Sequence, residues 1–272
     1  MKRVIITGGA GGLGKVTSEH LVSQGWQVFS ADIIHPDTHS TQNPQIIPVQ
    51  TDITNTTSVQ ELLRFISDRT DGLDAIIHMA GTLILGSVVE IHPEEIERIM
   101  NINLMGVYRM NQAFLPLILK RKGRIITISS ETGWQTSAPF NGPYSMSKHA
   151  LEAYSDSLRR ELKLLRVHVI KIQPGAIKAG LTSEVKQRFS EALHSSDLFK
   201  ENISTALDLI NKVYKKAADP QRFARVVHTA LTARNPKTRY SVNTDKARSI
   251  LEWLPVKWAD RIYMWKLGNK KT

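Results

Sequence analysis

The chain has 272 residues, of which 41% are hydrophobic, and carries a formal net charge of +11. This length and composition suffice for one sizeable core, so a single α/β domain is expected. Cysteine is absent, which excludes disulfides, thiolate nucleophiles and cysteine-based metal sites. The nine histidines show no HExxH or similar spacing, so no metal is expected.

The net positive charge indicates which binding partners are possible, and the apolar runs of the sequence indicate the cellular location. The charge is compatible with an anionic partner such as nucleic acid or a phospholipid surface. No nucleic-acid-binding motif accompanies it, so we favour a soluble basic protein and expect no nucleic acid. No apolar run is long enough to span a membrane, and the run 4–6 is too short for a signal peptide. We therefore expect a cytoplasmic protein.

Short β-branched runs alternate with longer helical stretches. Crossover helices are predicted at residues 13–24, 56–69, 94–120 and 144–165. The intervening runs are almost wholly apolar, as in parallel strands covered by helices on both faces. The pattern predicts an α/β, doubly wound Rossmann fold with a seven-stranded parallel sheet. The predicted strands are 3–7, 27–31, 45–50, 74–78, 124–129, 167–172 and 237–242.

The domain is expected to span residues 1–245, followed by a basic amphipathic helical tail at 246–272. Residues 176–222 carry few strand signals, and an insertion before the last strand suits a substrate lid. Within it, a helix is predicted to end in the stretch from Tyr214 to Ala218, and the next to begin at Pro220, because proline favours the first turn of a helix.

A glycine-rich turn follows the first strand and opens a helix. Glycines allow a tight turn close to a pyrophosphate, and the helix N-terminus offers free N–H groups to it. Two registers fit the turn: Gly9, Gly11 and Gly14 give GxGxxG, whereas Gly8, Gly12 and Gly14 give GxxxGxG. We prefer the second register, which keeps Thr7 at the end of the strand.

Acidic residues end the second and third strands. Asp32 can accept hydrogen bonds from the adenosine ribose hydroxyls and repel a 2′-phosphate, and Ile33 rather than arginine follows it. Both facts favour NAD over NADP, and Lys15 beside the cradle is interpreted as a solvated helix residue. Asp52 fits two interpretations equally, a contact to the adenine amino group or a cap for the helix that follows.

Tyr144 and Lys148 lie four residues apart on a predicted helix and share a face. A nearby ammonium favours the phenolate, so we expect the pKa of Tyr144 to be lowered. Tyr144 could then take a proton from an alcohol while a hydride leaves its carbon. Ser129 and Ser130 end the fifth strand, where a hydroxyl can hold the substrate oxygen.

In this order the residues resemble the short-chain dehydrogenase/reductase family, over roughly residues 1–242. Its TGxxxGxG cradle matches Thr7 through Gly14, and its catalytic tyrosine and lysine match Tyr144 and Lys148. The resemblance implies NAD(H) as cofactor and a homodimer or homotetramer. It assigns these residues to the cofactor: Gly8, Gly12, Leu13, Gly14, Asp32, Asp52, Ile53, Ala80, Gly81, Tyr144, Lys148, Pro174, Gly175 and Ile177.

The resemblance also implies the rest of the catalytic set. The family serine is the second of an ISSxxG stretch, which is Ser130 here. The family asparagine, which holds a water in a proton relay, matches Asn103; Asn101 competes, but the glycine three residues downstream favours Asn103.

Two departures from the family pattern stand out. The family NNAG is replaced by the stretch from His78 to Gly81, which we expect to affect stability more than chemistry. The threonine of the family's PGxxxT falls at Ala179, so a hydroxyl for the carboxamide comes from Thr182 or Ser183 or is missing.

The stretches 142–144, 155–162 and 236–240 resemble the branch of the family that holds retinol and hydroxysteroid dehydrogenases. This resemblance implies an enzyme that interconverts an alcohol and a carbonyl, with a lipophilic, steroid- or retinoid-like substrate. The alternatives are an enzyme for a small non-lipid alcohol or ketone, and a dinucleotide-binding sensor or scaffold without turnover.

The tail holds three of the five tryptophans, Trp253, Trp258 and Trp265, among basic residues. Pro255 is predicted to split it into two helices. Such a helix can lie on a membrane surface. We favour burial against the substrate pocket or a subunit interface, because apolar stripes usually mean burial.

Overall fold

A computed structural model describes residues 1–34, 43–178 and 180–268, with residues 180–183 described by their backbone alone. Within these residues, seven strands form one parallel sheet in the order β3-β2-β1-β4-β5-β6-β7. The predicted doubly wound α/β fold is confirmed. The strands are β1 (Lys2–Thr7), β2 (Trp26–Asp32), β3 (Ile46–Gln50), β4 (Ala75–His78), β5 (Arg124–Ile128), β6 (His168–Pro174) and β7 (Arg239–Val242).

Helices cover both faces of the sheet. Ten α-helices occur in the described part of the chain, and none of them is long and apolar enough to cross a membrane. They are α1 (Gly12–Ser23), α2 (Thr56–Ser67), α3 (Pro93–Met100), α4 (Val107–Arg121), α5 (Gly142–Lys163), α6 (Gly180–Ser195), α7 (Lys200–Tyr214), α8 (Pro220–Thr232), α9 (Lys246–Leu251) and α10 (Val256–Leu267).

The alternation of side chains along each strand builds two cores. In β1, Val4 and Ile6 pack on one face with residues of α1 and α8, while Ile5 packs on the other with α2 and α4. All three side chains are fully buried, which is why the strands are apolar throughout. The strand order reverses between β1 and β4, and ligands of such sheets bind beyond the carboxyl ends at that point.

The helix predicted at residues 94–120 is not continuous. A π-helical turn at Asn101–Gly106 separates α3 from α4. Such turns insert one extra residue into an α-helix and often occur at functional sites. Here the turn lies where Asn103 must reach other elements, so tertiary contacts override the regular helical pattern.

The lid and the tail lie over the carboxyl edge of the sheet. Helices α6 and α7 share a third apolar cluster with residues such as Leu83 and Leu267. Helix α8 begins at Pro220, as predicted, and Asp219 caps it by accepting a hydrogen bond from the Gln221 N–H (2.7 Å). The tail splits into α9 and α10 at Pro255, also as predicted.

Candidate active site

Two cavities open at the carboxyl edge of the sheet. The first, here called the cradle cavity, has a volume of about 540 Å³ and lies beyond β1, β2, β3 and β4. The second, here called the apolar cavity, has a volume of about 390 Å³ and lies between the ends of β5 and β6, the lid and the tail. The cradle cavity includes Gly8, Gly11, Asp32, Asp52, Ile53, Ala80, Gly81 and Asn101 in its lining.

The turn after β1 has no room for a side chain at Gly8 and Gly14, and a Cβ on Gly9 would also overlap the Ser30 Oγ. Gly8 has a φ of +70°, and a Cβ there would lie 2.7 Å from the backbone nitrogen of Ala80. A Cβ on Gly14 would overlap the carbonyl oxygen of Gly8. Both residues belong to the preferred register, whose third glycine, Gly12, begins α1. The first turn of α1, whose N–H groups have no partner within the helix, begins directly after Gly11 in the lining of the cradle cavity.

Asp32 braces this turn and gives the cavity a negative charge. Its carboxylate accepts hydrogen bonds from the N–H groups of Ala10 (3.0 Å) and Ile34 (3.2 Å). It is half-buried in the cavity lining, next to Ile33. Lys15 is exposed and does not line the cavity.

Asp52 does not cap α2. Asn55 is the cap, and it accepts hydrogen bonds from the N–H groups of Thr57 and Ser58 (2.8 and 3.2 Å). Asp52 instead accepts from the N–H and hydroxyl of Thr54 and lines the cradle cavity. The capping alternative is therefore wrong.

These features fit a dinucleotide. The turn at Gly8 and Gly14 has no room for side chains, a helix begins beside it, and a carboxylate stands at the end of the neighbouring strand. A pyrophosphate requires close backbone approach, and a ribose requires a hydrogen-bond acceptor. The cradle cavity supplies both.

The predicted catalytic side chains converge beside the apolar cavity. Tyr144 and Lys148 lie one turn apart on α5, with the Lys148 Nζ 5.6 Å from the centre of the Tyr144 ring. Ser130 follows β5 and lines the same cavity as Tyr144, and its hydroxyl is close enough to affect the pKa of that phenol. Lys148 donates a hydrogen bond to the carbonyl of Ile128 (3.0 Å), so β5 positions both the serine and the lysine.

The two serines after β5 face different ways. Ser130 lines the apolar cavity, and its hydroxyl also accepts a hydrogen bond from the Thr132 N–H (3.2 Å). The Ser129 hydroxyl is buried near Gly133 and has no hydrogen-bond partner among the described residues. Only Ser130 is therefore placed to contact a substrate.

Asn103 joins the π-helical turn to α5. Its amide nitrogen donates to the carbonyl of Thr82 (3.0 Å) and to the hydroxyl of Ser147 (2.9 Å), and its amide oxygen accepts from the Thr82 N–H (2.8 Å). A Cβ on Gly81 would lie 3.2 Å from the Asn103 Oδ1 and 3.8 Å from the Lys148 Nζ, so these groups are neighbours. Asn101 lines the cradle cavity instead.

The expected lowering of the Tyr144 pKa is wrong for the groups of the protein alone. Burial raises the pKa of Tyr144 to about 12, although the nearby Ser130 hydroxyl lowers this pKa. Burial likewise lowers the pKa of Lys148 to about 8, although the nearby Glu152 carboxylate raises it. The low polarity of the site therefore outweighs the favourable pairing of phenolate and ammonium.

The apolar cavity brings together distant parts of the chain. Pro174, Gly175 and Ile177 line it after β6, and Leu13 lines it from α1. Ala179 lies outside the described residues, and so do the side chains of Thr182 and Ser183. Much of the wall is aliphatic or aromatic: Leu83, Leu85, Val185, Phe189, Ala206, Ile210, Val213, Leu251 and Leu267.

Several polar residues of the apolar cavity are absent from the sequence-based set, among them Glu131 and Tyr214. Glu131 is buried, burial raises its pKa, and its carboxylate accepts a hydrogen bond from the Asp245 N–H (2.6 Å). Tyr214, from the end of α7, lies near enough to Tyr144 for the two phenols to interact, and its pKa is raised mainly by burial. The position of Glu131 directly after the catalytic serine was the available signal, whereas nothing local distinguishes Tyr214.

His78 shows what replaces the usual family asparagine. Its Nε2 is hydrogen-bonded to the side-chain oxygen of Asn111 on α4 (2.8 Å), and Asn111 donates to the hydroxyl of Tyr154 on α5 (3.0 Å). Burial lowers the pKa of His78 to about 4, so the ring is neutral at neutral pH. It ties β4 to two helices.

The sheet, the glycine cradle and the Ser130–Tyr144–Lys148 cluster together define a dinucleotide-binding oxidoreductase. Among the described residues, no group of three or more histidines or carboxylates could hold a metal ion. Residues 2–189 match the family model described as short chain dehydrogenase. The chain belongs to the short-chain dehydrogenase/reductase family.

Curated relatives match almost the whole chain. A 3-ketodihydrosphingosine reductase from Bacteroides thetaiotaomicron is 30% identical, over 96% of this chain and 97% of the relative. Retinol dehydrogenase 16 from Homo sapiens is also 30% identical, over 97% of this chain and 88% of the relative. A short-chain dehydrogenase structure from Streptomyces avermitilis superposes with a TM-score of 0.78 at 20% identity, covering 98% of this chain and 97% of that one, and it supports the fold.

Proposed function

We propose that this protein is an NAD(H)-dependent oxidoreductase that interconverts a lipophilic alcohol and the corresponding carbonyl compound. The observation that carries the proposal is that Ser130 and Tyr144 line the same apolar cavity, with the Lys148 Nζ 5.6 Å from the centre of the Tyr144 ring. This arrangement holds a proton at the place where a substrate oxygen would lie.

Each residue of the site has a separate role in the proposed reaction. The bound dinucleotide supplies a nicotinamide ring that accepts or gives the hydride and, when oxidised, a positive charge that favours the phenolate. Tyr144 takes the proton of the alcohol in oxidation and returns it to the carbonyl oxygen in reduction. Ser130 donates a hydrogen bond to that oxygen and stabilises the charge that develops on it. Lys148 favours the phenolate form of Tyr144, and Asn103 holds the π-helical turn against α5 through Ser147.

The preference for NAD over NADP is proposed from Asp32. Its carboxylate lines the cradle cavity at the end of β2, where it would accept hydrogen bonds from ribose hydroxyls and repel a 2′-phosphate. Asp52, Ile53, Ala80 and Gly81 would line the adenosine half of the same cofactor, whereas Pro174, Gly175 and Ile177 would line the nicotinamide half.

An Asp32→Asn variant tests this preference. It removes the charge but keeps an oxygen that can accept from the Ala10 N–H, so the turn should persist. We expect the ratio of kcat/KM with NADP to that with NAD to rise roughly tenfold, because a like-charge repulsion is lost. Asp68→Asn is the matched control, since Asp68 is exposed and lines neither cavity. A lower KM for NADPH than for NADH in the unaltered protein would refute the proposal.

The lipophilic substrate is proposed from the aliphatic wall of the apolar cavity. Apolar pockets with a few placed polar groups are typical of sites for lipophilic small molecules. The names of the two relatives, a 3-ketodihydrosphingosine reductase and a retinol dehydrogenase, agree with such a substrate. Initial rates across long-chain, steroid, retinoid and short-chain alcohols test it, and a preference for short-chain alcohols would favour the small-substrate alternative.

The proposed setting is a homodimer or homotetramer in the cytoplasm. Exposed apolar side chains on the π-helical turn, α4 and α5, including Met105, Tyr108 and Met146, favour pairing of subunits through these helices. Sedimentation velocity of the purified protein tests the assembly.

A further inference from the structure

The tail presents an unusual concentration of exposed tryptophan. Trp253, Trp258 and Trp265 have relative exposures of 89%, 60% and 75%, whereas Trp26 in β2 has 3%. Tryptophan is usually buried to a large extent in a folded domain. The sequence-based expectation of burial therefore does not hold for these side chains within the single chain.

One face of α10 packs against the molecule, and the other is exposed to solvent. Ala259, Tyr263 and Leu267 recur every four residues and face the molecule, and the last two line the apolar cavity. Trp258 and Trp265 are separated by two turns and share the opposite stripe. The stripe for which burial was expected includes Trp258 and Trp265 and is largely exposed in the single chain, whereas a different face of the helix packs inward.

Basic residues share the outward face. Lys257 and Arg261 are exposed on α10, and the helical period places Arg261 between the two tryptophans. We call the set Trp253, Lys257, Trp258, Arg261, Met264 and Trp265 the tail surface. Residues 246–268 contain five basic and two acidic residues, and one of the acids, Glu252, is hydrogen-bonded to Thr136. The surface is therefore both apolar and positively charged.

The apolar and positively charged character of the tail surface distinguishes two possible partners, a second copy of the chain and a lipid bilayer. In a two-fold dimer the same patch meets itself, so Lys257 and Arg261 of one copy would approach those of the other. Like charges brought together in an interface oppose association. An anionic lipid surface attracts the same cations, and tryptophan rings prefer the boundary between headgroups and acyl chains.

We propose that the tail surface docks onto a phospholipid bilayer that carries anionic headgroups. Tryptophans would enter the interfacial region, and Lys257 and Arg261 would contact the headgroups. The opposite face of α10 lines the apolar cavity, so docking brings one wall of that cavity to the bilayer. The docking surface stands independently of the proposed reaction, because vesicle binding requires no turnover.

Vesicle flotation of the purified full chain tests the proposal. We expect binding to vesicles of equal parts phosphatidylcholine and phosphatidylglycerol, little binding to phosphatidylcholine alone, and weaker binding as salt rises. Tryptophan fluorescence should shift to shorter wavelength on binding, because three of the five tryptophans lie in the tail. Trp258→Ser with Trp265→Ser should abolish both signals.

Charge reversal provides the matched comparison. Each basic residue near an anionic surface contributes about a fivefold factor in partitioning. Lys257→Glu with Arg261→Glu should therefore weaken vesicle binding at least about 25-fold. Arg222→Glu with Arg225→Glu makes the same net change on exposed positions of α8 and should weaken it far less. Leu164→Ser, at an exposed apolar residue outside the tail, is the control for the tryptophan variant.

Three results would overturn the proposal. The first is an absence of binding to the anionic vesicles at low salt. The second is an equal loss of binding in the tail and α8 charge variants, which would indicate attraction by net charge alone. The third is that the unaltered protein fails to bind vesicles while the tryptophan variant sediments with a smaller mass than the unaltered protein. This result would assign the tail surface to a contact between copies of the chain. Circular dichroism melting curves check that each variant is folded.

Discussion

The pKa values of single side chains determine which groups of this site carry a proton at neutral pH. Burial raises the pKa of Tyr144 to about 12 and lowers that of Lys148 to about 8, so at neutral pH the phenol is neutral and the amine is still mostly protonated. At neutral pH the phenol therefore keeps its proton, which is the form that reduction of a carbonyl requires. The identity of these residues follows from the sequence, but the direction of the Tyr144 shift depends on burial, which a motif does not reveal.

His78 makes the stability of the protein depend on pH. Its pKa is about 4 in the folded protein and about 6.5 in an unfolded chain, so the unfolded state binds more protons between these values. The free energy of unfolding should therefore be highest above about pH 6.5 and fall as the pH drops toward 4. We expect His78 to account for a loss of about 2 kcal/mol between about pH 7.5 and about pH 5.

Urea denaturation of a His78→Asn variant at the two pH values measures this contribution. Asparagine can still bond to Asn111 but does not titrate, so the pH dependence of the unfolding free energy should shrink. His149→Asn, at an exposed histidine of α5, should leave the dependence unchanged. Equal pH dependence in the His78 variant and the unaltered protein would contradict this assignment.

At the scale of elements, a buried ion pair fixes the helix that carries Tyr144 and Lys148. Lys171 on β6 contacts Glu152 (2.7 Å) and Asp156 (2.8 Å) on α5. Glu152 also accepts a hydrogen bond from the side chain of Gln173 (2.9 Å). Lys171 and Glu152 are buried, so each needs the other as a partner.

Removal of Lys171 should therefore destabilise the fold. We expect Lys171→Met to lower the free energy of unfolding by about 3 kcal/mol, because it leaves the Glu152 carboxylate buried without its cation. Lys163→Met, at an exposed position on α5, should change the free energy of unfolding by less than about 0.5 kcal/mol. Chemical denaturation measures both, and a loss shared equally by the two variants would show that the ion pair does not stabilise the packing of α5 on β6.

The strands were predictable within about two residues because a parallel sheet buries both faces and leaves continuous apolar runs. The break in the helix predicted at 94–120 could not be predicted. The π-helical turn there allows Asn103 to bind Ser147, and these two residues are far apart in the sequence. The cap of α2 is similar: Asp52 and Asn55 both suit a cap by residue type, and only the geometry selects Asn55.

At the scale of the whole molecule, the sheet positions the cofactor residues and the later segments shape the substrate cavity. Motifs predicted that the glycine turn and the residues Ser130, Tyr144 and Lys148 would lie at one edge of the sheet, because the ends of parallel strands meet there. The wall of the apolar cavity could not be predicted, since Leu83, Phe189 and Leu267 meet only through tertiary packing. The same holds for the two faces of α10, which local periodicity alone does not assign to the interior or to solvent.

The most direct test of the central claim is NAD reduction by a panel of lipophilic alcohols, with Tyr144→Phe and the control Tyr154→Phe measured in parallel. Tyr154 lies on the same helix but outside the apolar cavity. We expect turnover by the unaltered protein and by the control, and a loss of at least about a hundredfold in Tyr144→Phe, because its acid–base group is removed. NADH binding, followed by fluorescence, should be nearly unchanged in both variants. Undiminished turnover in Tyr144→Phe would contradict the assigned role of the tyrosine, and tight NADH binding without turnover of any alcohol would favour a dinucleotide-binding sensor.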